Sequence, residues 1–161
     1  MVNLFVSFNT WNDSVCRKLC LSKIILIMTS FVTYEGDLRT KSIHLASKDS
    51  FITDAPIDNN GKGEAFSPTD TVASALASCI LTIMGIKAKD LDIDLKGTKA
   101  QVTKIMASEP RRIDEIKIEI IIKRSFDSKI QTLLERAALS CPVAKSLHPD
   151  LKQNISFNWQ A

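Results

Sequence analysis

The chain has no Cys-x-x-Cys pair and only two histidines, too few ligands for a tetrahedral zinc centre. Its four cysteines are too few and too widely spaced for a disulfide framework, so each is read as an individual thiol. No block of basic residues is present. The 21 Lys and Arg are interspersed with 18 Asp and Glu, and a net charge of +3 without a run of exposed aromatics gives no nucleic-acid surface. Internal repeats and low-complexity segments are also missing. The apolar stretch Val15–Ile27 is broken by Arg17, Lys18 and Lys23 and has no small-residue cleavage site after it. It makes a poor signal peptide and a worse anchor, so a cytoplasmic location without a membrane partner is expected.

A length of 161 residues suits one domain with its own core. Residues 1–27 differ in character from the rest of the chain, and Met28 stands just before the first clear strand. The expected organisation is an extension over 1–27 outside the folded domain, and a domain over 28–161. Cys16 and Cys20 lie one helical turn apart, but nothing nearby completes a metal site.

The organising stretch is Ser67 to Lys87. Ser67 suits an N-cap, Pro68 suits the first helical position, and Asp70 completes an S-x-x-D variant of the capping box. Apolar and small residues from Thr71 to Ile86 surround the helix instead of forming a stripe, which predicts burial on most sides. Ser74, Ser78 and Thr82 interrupt it, against a membrane span. The helix is expected to fray after Gly85, through Lys87 and Lys89.

Before this helix, Phe31–Gly36 and Leu38–Leu45 read as strands about a Gly36-Asp37 turn, and Phe51-Ile52 as the start of a third. Pro56–Gly63 has turn chemistry and reads as a mobile surface loop. After the helix, Leu91–Leu95 and Lys99–Met106 are strand-like, and Ser108–Arg112 is a turn. Ile113–Lys123 carries the strongest strand pattern, with Ile116, Ile118, Ile120 and Ile122 on one face. Asp127–Ala138 has helical spacing, Pro142 opens a short helix, and Asn154–Trp159 closes as a strand. The order gives an α+β domain.

Two thiols sit where chemistry could occur. Cys79 lies mid-helix, where a free cysteine is ordinarily an inert small hydrophobe, and the helix dipole cannot activate it. It would need a cation from elsewhere. Cys141, beside Pro142, faces unpaired N–H groups that favour thiolate; the competing reading is a capping or packing cysteine. His44 reads as a partly buried strand residue and His148 as a helix-end residue. Phe157 and Trp159 share a face as core, or as the apolar lining of a pocket.

Pro68-Thr-Asp with Ala77-Ser-Cys79, Glu109-Pro-Arg-Arg-Ile113, and Ala138-Leu-Ser-Cys141-Pro-Val-Ala-Lys145 together resemble the OsmC/Ohr family of osmotically induced and organic hydroperoxide resistance proteins. The resemblance covers about residues 30–160. It implies a strongly curved antiparallel sheet around a long buried central helix, in an intertwined homodimer with active sites between subunits. It also implies a thiol-dependent peroxidase acting on organic hydroperoxides. By position, Cys79 resembles the peroxide-attacking cysteine, Cys141 the resolving one and Arg39 the activating arginine. No bound cofactor or metal is implied; an external thiol or lipoyl-type dithiol serves as reductant.

One position departs from the pattern. The hydroperoxide-resistance branch commonly carries an acid ten residues before the first cysteine, holding the arginine, and here that residue is Thr69. Asp70 and Glu64 are the candidate substitutes, Asp70 having a competing role in the capping box. The departure keeps a second reading open, a non-catalytic protein of the same fold that binds a small molecule at the dimer interface.

Overall fold

A computed structural model describes residues 28–160. The expected extension, with Cys16 and Cys20, lies outside the described residues.

The first sheet is an antiparallel meander of β1 (Ser30–Gly36), β2 (Arg39–His44) and β3 (Ser50–Asp54). Asp37 and Leu38 both take positive φ, as a two-residue hairpin turn with the twist of its strands requires. The Leu38 N–H is held by the Tyr34 hydroxyl at 3.2 Å. Register sets Arg39 opposite Asp54 on one face and Thr40 opposite Thr53 on the other.

Ala55–Ser67 leads to the long helix. Within it, Pro56–Gly63 has the surface turns its composition suggests, tied by backbone hydrogen bonds. A 3-10 turn spans Ile57–Asn59, the Asn59 and Gly61 N–H groups donate to the Pro56 carbonyl, and Gly63 donates to Ala55. Gly61 is obligatory, since a Cβ there would fall 1.7 Å from the Ala55 carbonyl oxygen.

Helix α1 (Pro68–Asp90) begins with the expected capping box between Ser67 and Asp70. It does not fray at Gly85 but continues to Asp90, where Lys87 and Lys89 suit the negative helix end. Its burial also differs from expectation. Ala73, Leu76, Ala77, Ile80, Met84 and Ala88 are buried, while Val72, Ala75, Gly85 and Ile86 on the opposite side are exposed. Length and hydropathy alone would let this helix cross a membrane, but its buried stripe seats on a sheet as a core helix does.

Leu91–Leu95 is not a strand. The Leu91, Asp92 and Ile93 N–H groups bond back to the last helical turn, so no ladder forms. The alternation there comes from Leu91, Ile93 and Leu95 tucking against the core as an irregular segment.

The second sheet contains β4 (Lys99–Ser108), β5 (Arg111–Ile122) and β6 (Lys152–Trp159). β4 and β5 are antiparallel; β5 and β6 are parallel, joined by a crossover through α2 (Ser128–Ala138) and α3 (Pro142–Ser146). The sheet expected to be antiparallel and single is therefore two three-stranded sheets, one of them mixed. Ile116, Ile118, Ile120 and Ile122 are completely or almost completely buried, against Leu76, Ile80, Met84, Leu134 and Cys141. Asp127 caps α2, accepting from the Ile130 N–H at 2.8 Å. Trp159 reaches α2 by donating to Glu135 at 2.9 Å, and its ring meets Phe126 edge-on. β1–β3 pack extensively only on one another and leave Phe31, Val32, Tyr34 and Phe51 exposed.

Candidate active site

Cys79 lies at the edge of the buried stripe of α1, half-exposed, against the core cluster that contains Cys141. Cys141 is the N-cap of α3 and is fully buried. The fold thus brings together two cysteines far apart in sequence, because β5, α2 and α3 wrap back over α1.

The two sulfurs occupy unlike environments. Burial pushes the Cys141 thiol up from its ordinary range, and the neighbouring Cys79 pushes it further. The Val143 and Ala144 N–H groups pull in the other direction and lose. The expectation that the helix start would favour a Cys141 thiolate is therefore reversed, because the fold seals this N-cap in apolar packing. Cys141 is a protonated thiol poised beside the more accessible sulfur.

Arg39 stands apart from both. Its Nε and Nη2 donate to the two carboxylate oxygens of Asp54, each at 2.7 Å, and Nη2 also donates to Glu64 at 2.8 Å. These bonds raise the Arg39 pKa further and hold the Asp54 carboxyl below its ordinary range, against the opposing effect of burial. The Glu64 N–H closes the arrangement onto Asp54 at 3.2 Å. Among the described residues, no hydrogen bond or ion pair joins Arg39 to Cys79.

Of the two candidate arginine partners, Glu64 reaches Arg39 and Asp70 does not. Asp70 faces β4, where Lys104 Nζ lies 2.7 Å from its carboxylate. Lys104 also donates to Thr69 at 2.7 Å, so the residue at the departing position is tied to β4. The sequence reading missed Asp54. Its signal was present, an acid ending a strand directly across a hairpin from Arg39, but strand alternation alone did not fix the register.

His44 bonds to Ser47 at the end of its strand, and His148 is exposed near Asp150. Neither approaches the cysteines. Among the described residues, no group of three or more His, Cys, Asp or Glu could hold a metal ion. An apolar cavity of about 330 Å³ lies between Tyr34, Leu38 and Thr40 of the first sheet, Pro56, Pro68 at the start of α1, and Met106.

Fold and site together define an α+β domain that sets two free cysteines side by side on a long helix and a short one. The chain belongs to the OsmC-like family, whose model, described as OsmC-like protein, matches residues 61–156. It is 57% identical to a Psychrobacter arcticus protein described as an osmotic-stress-induced and detoxification-response protein, over 81% of this chain and 96% of that one, with a TM-score of 0.79. The same fold occurs in an organic hydroperoxide resistance protein OsmC from Legionella pneumophila, at 16% identity, 82% and 98% coverage and a TM-score of 0.63. It occurs again in an OsmC-like protein from Mycoplasma pneumoniae, at 20% identity, 82% and 96% coverage and a TM-score of 0.67. No curated protein matches the chain.

Proposed function

We propose that this protein is a cysteine-dependent peroxidase that reduces organic hydroperoxides to alcohols. The observation that carries the reading is the accessible Cys79 lying against the buried, protonated Cys141. The Cys79 thiolate attacks the terminal peroxide oxygen, the O–O bond breaks, and the departing alkoxide takes a proton to become the alcohol. Cys79 is left as a sulfenic acid. The Cys141 sulfur then displaces its hydroxyl, giving a disulfide and, with the Cys141 proton, water. An external thiol or lipoyl-type dithiol returns both cysteines to thiols by exchange and is itself oxidised.

The working unit in this reading is a homodimer. One face of α1 and both faces of the first sheet carry exposed apolar residues that a second copy would cover. Arg39 sits on the sheet that packs least on its own chain's α1, so the partner subunit is proposed to bring its guanidinium to Cys79. There it stabilises the thiolate by charge and directed N–H groups.

The test is consumption of cumene hydroperoxide with dihydrolipoamide as reductant. Wild type turns over, Cys79→Ser does not, and Cys141→Ser accumulates a trappable sulfenic acid at Cys79. Full activity in Cys79→Ser overturns the reading. A second reading is favoured by the 330 Å³ cavity and by the occupied state of Arg39: a protein that holds a small apolar molecule without turnover. It predicts no peroxide-dependent Cys79–Cys141 disulfide.

A further inference from the structure

We propose that Asp54 is the positioning residue for Arg39, in place of the acid that the family pattern would put at position 69, and that it presents the Nη1 edge of the guanidinium as the working edge. The inference rests on the proposed role of Arg39 toward Cys79 and deepens it.

Three observations carry it. First, Arg39 and Asp54 are register partners on adjacent strands, so the backbone ladder sets their separation before any side chain moves. Second, the grip is two-point, Nε to Oδ1 and Nη2 to Oδ2, and Asp54 is only 2% exposed. Two parallel N–H···O bonds fix the plane of the guanidinium and its rotation within that plane, which one contact cannot do. Third, Nη1 takes part in no hydrogen bond among the described residues. Its two N–H donors point away from the clamp, available to a thiolate or peroxide oxygen.

The pattern's own position is committed elsewhere. Thr69 accepts from Lys104, and Asp70 pairs with the same ammonium, so neither is free to hold an arginine. Glu64 is an accessory. It is largely exposed, meets Arg39 through one oxygen, and hangs on the loop that Gly61 shapes. Charged groups around the guanidinium are Asp54 from β3, Glu64 from the loop, Lys62 paired with Asp37 at 3.0 Å, and Lys41 two residues along the same face of β2. Cys141 is the titratable neighbour of Cys79.

The experiment measures the rate of Cys79 alkylation by iodoacetamide from pH 4 to 9, read by peptide mass mapping on the full chain. Variants are Arg39→Ala, Asp54→Asn, the double variant, Glu64→Gln and Arg39→Lys. With Asp54 as the positioner, Arg39→Ala and Asp54→Asn each move the profile upward by about one pH unit, a roughly tenfold loss of rate at acidic pH. The double variant moves it no further than either single one, the non-additivity of groups acting as a unit. Glu64→Gln moves it less. Arg39→Lys keeps the charge but not the fork and behaves like Arg39→Ala; this variant keeps the proposal testable if Asp54→Asn fails to fold.

A normal profile in Asp54→Asn or in Arg39→Lys, alongside a shifted one in Arg39→Ala, overturns the positioning role alone. So do additive shifts in the double variant. An unshifted Arg39→Ala removes the role of the arginine toward Cys79, and the inference with it. The alkylation reads this coupling without turnover, so loss of the peroxidase reading through Cys79→Ser is a separate result.

Discussion

Lys104 and Asp70 form an ion pair at 2.7 Å across the gap between β4 and the first turn of α1. The same ammonium reaches Thr69, and the same carboxylate receives the Ser67 N–H at 2.8 Å. A lysine near a helix N-terminus opposes the macrodipole, and Asp70 offsets it while capping the helix. Asp70→Ala therefore costs about 1–2 kcal/mol in a urea melt, since it removes half of the capping box and leaves Lys104 short of its counter-ion. Lys104→Met, which keeps the cap, costs less.

The acid side of the stability profile is governed by Asp54. Its hydrogen bond with Arg39 holds the native carboxyl below the ordinary value of 3.8, despite burial. The folded state is thus favoured at pH above that ordinary value, and the advantage is lost as pH falls through the lower native one. Urea midpoints taken from pH 7 down to pH 2.5 should drop at the acid end. Asp54→Asn flattens part of that drop; Asp70, also held low because Lys104 and Ser67 outweigh burial, contributes a further part.

Thiol labelling separates the two site cysteines. Cys141 is sealed and its thiol is pushed up, while Cys79 is half-exposed. A short iodoacetamide pulse at pH 8 on reduced protein labels Cys79 well ahead of Cys141, as peptide mapping reads out. Equal labelling of both would contradict the assignment of attacking and resolving sulfur.

The isoleucine row of β5 carries the core. Ile120 is fully buried, and Ile120→Ala is expected to cost about 2–5 kcal/mol in urea or thermal melts. Cys79 alkylation under native conditions should change little, because the lesion lies in packing and not at the sulfur.

Self-association tests the open face of α1. Sedimentation equilibrium is expected to return twice the chain mass of 17.9 kDa. Val72→Glu, a charge placed on the exposed side of α1, shifts the protein toward the single-chain mass.

Much of this fold was legible in the chain because its signals are local. Ser67, Pro68 and Asp70 announce the start of α1, and the alternation from Ile116 to Ile122 announces β5. The misreadings share a cause: patterns say which residues avoid water, not what shields them. Leu91, Ile93 and Leu95 alternate like a strand but tuck inward from an irregular segment. The all-round apolar character of α1 is real, yet one chain covers only one side. In the site, Cys79, Cys141 and Arg39 could be singled out, whereas Asp54 needed the register of β2 against β3. The environment of Cys141 likewise required knowing that its N-cap is closed over.

The span from Ala55 to Ser67 is the covalent bridge between the sheet bearing the guanidinium and the half of the molecule bearing the sulfurs. Its geometry is enforced by backbone bonds and by one residue, Gly61, that tolerates no side chain. The reach of Arg39 can therefore be retuned by lengthening or shortening this strap, with neither the arginine nor the cysteines altered. In the proposed reaction, such a change would alter activity while leaving the sheet and the cysteine pair as they are.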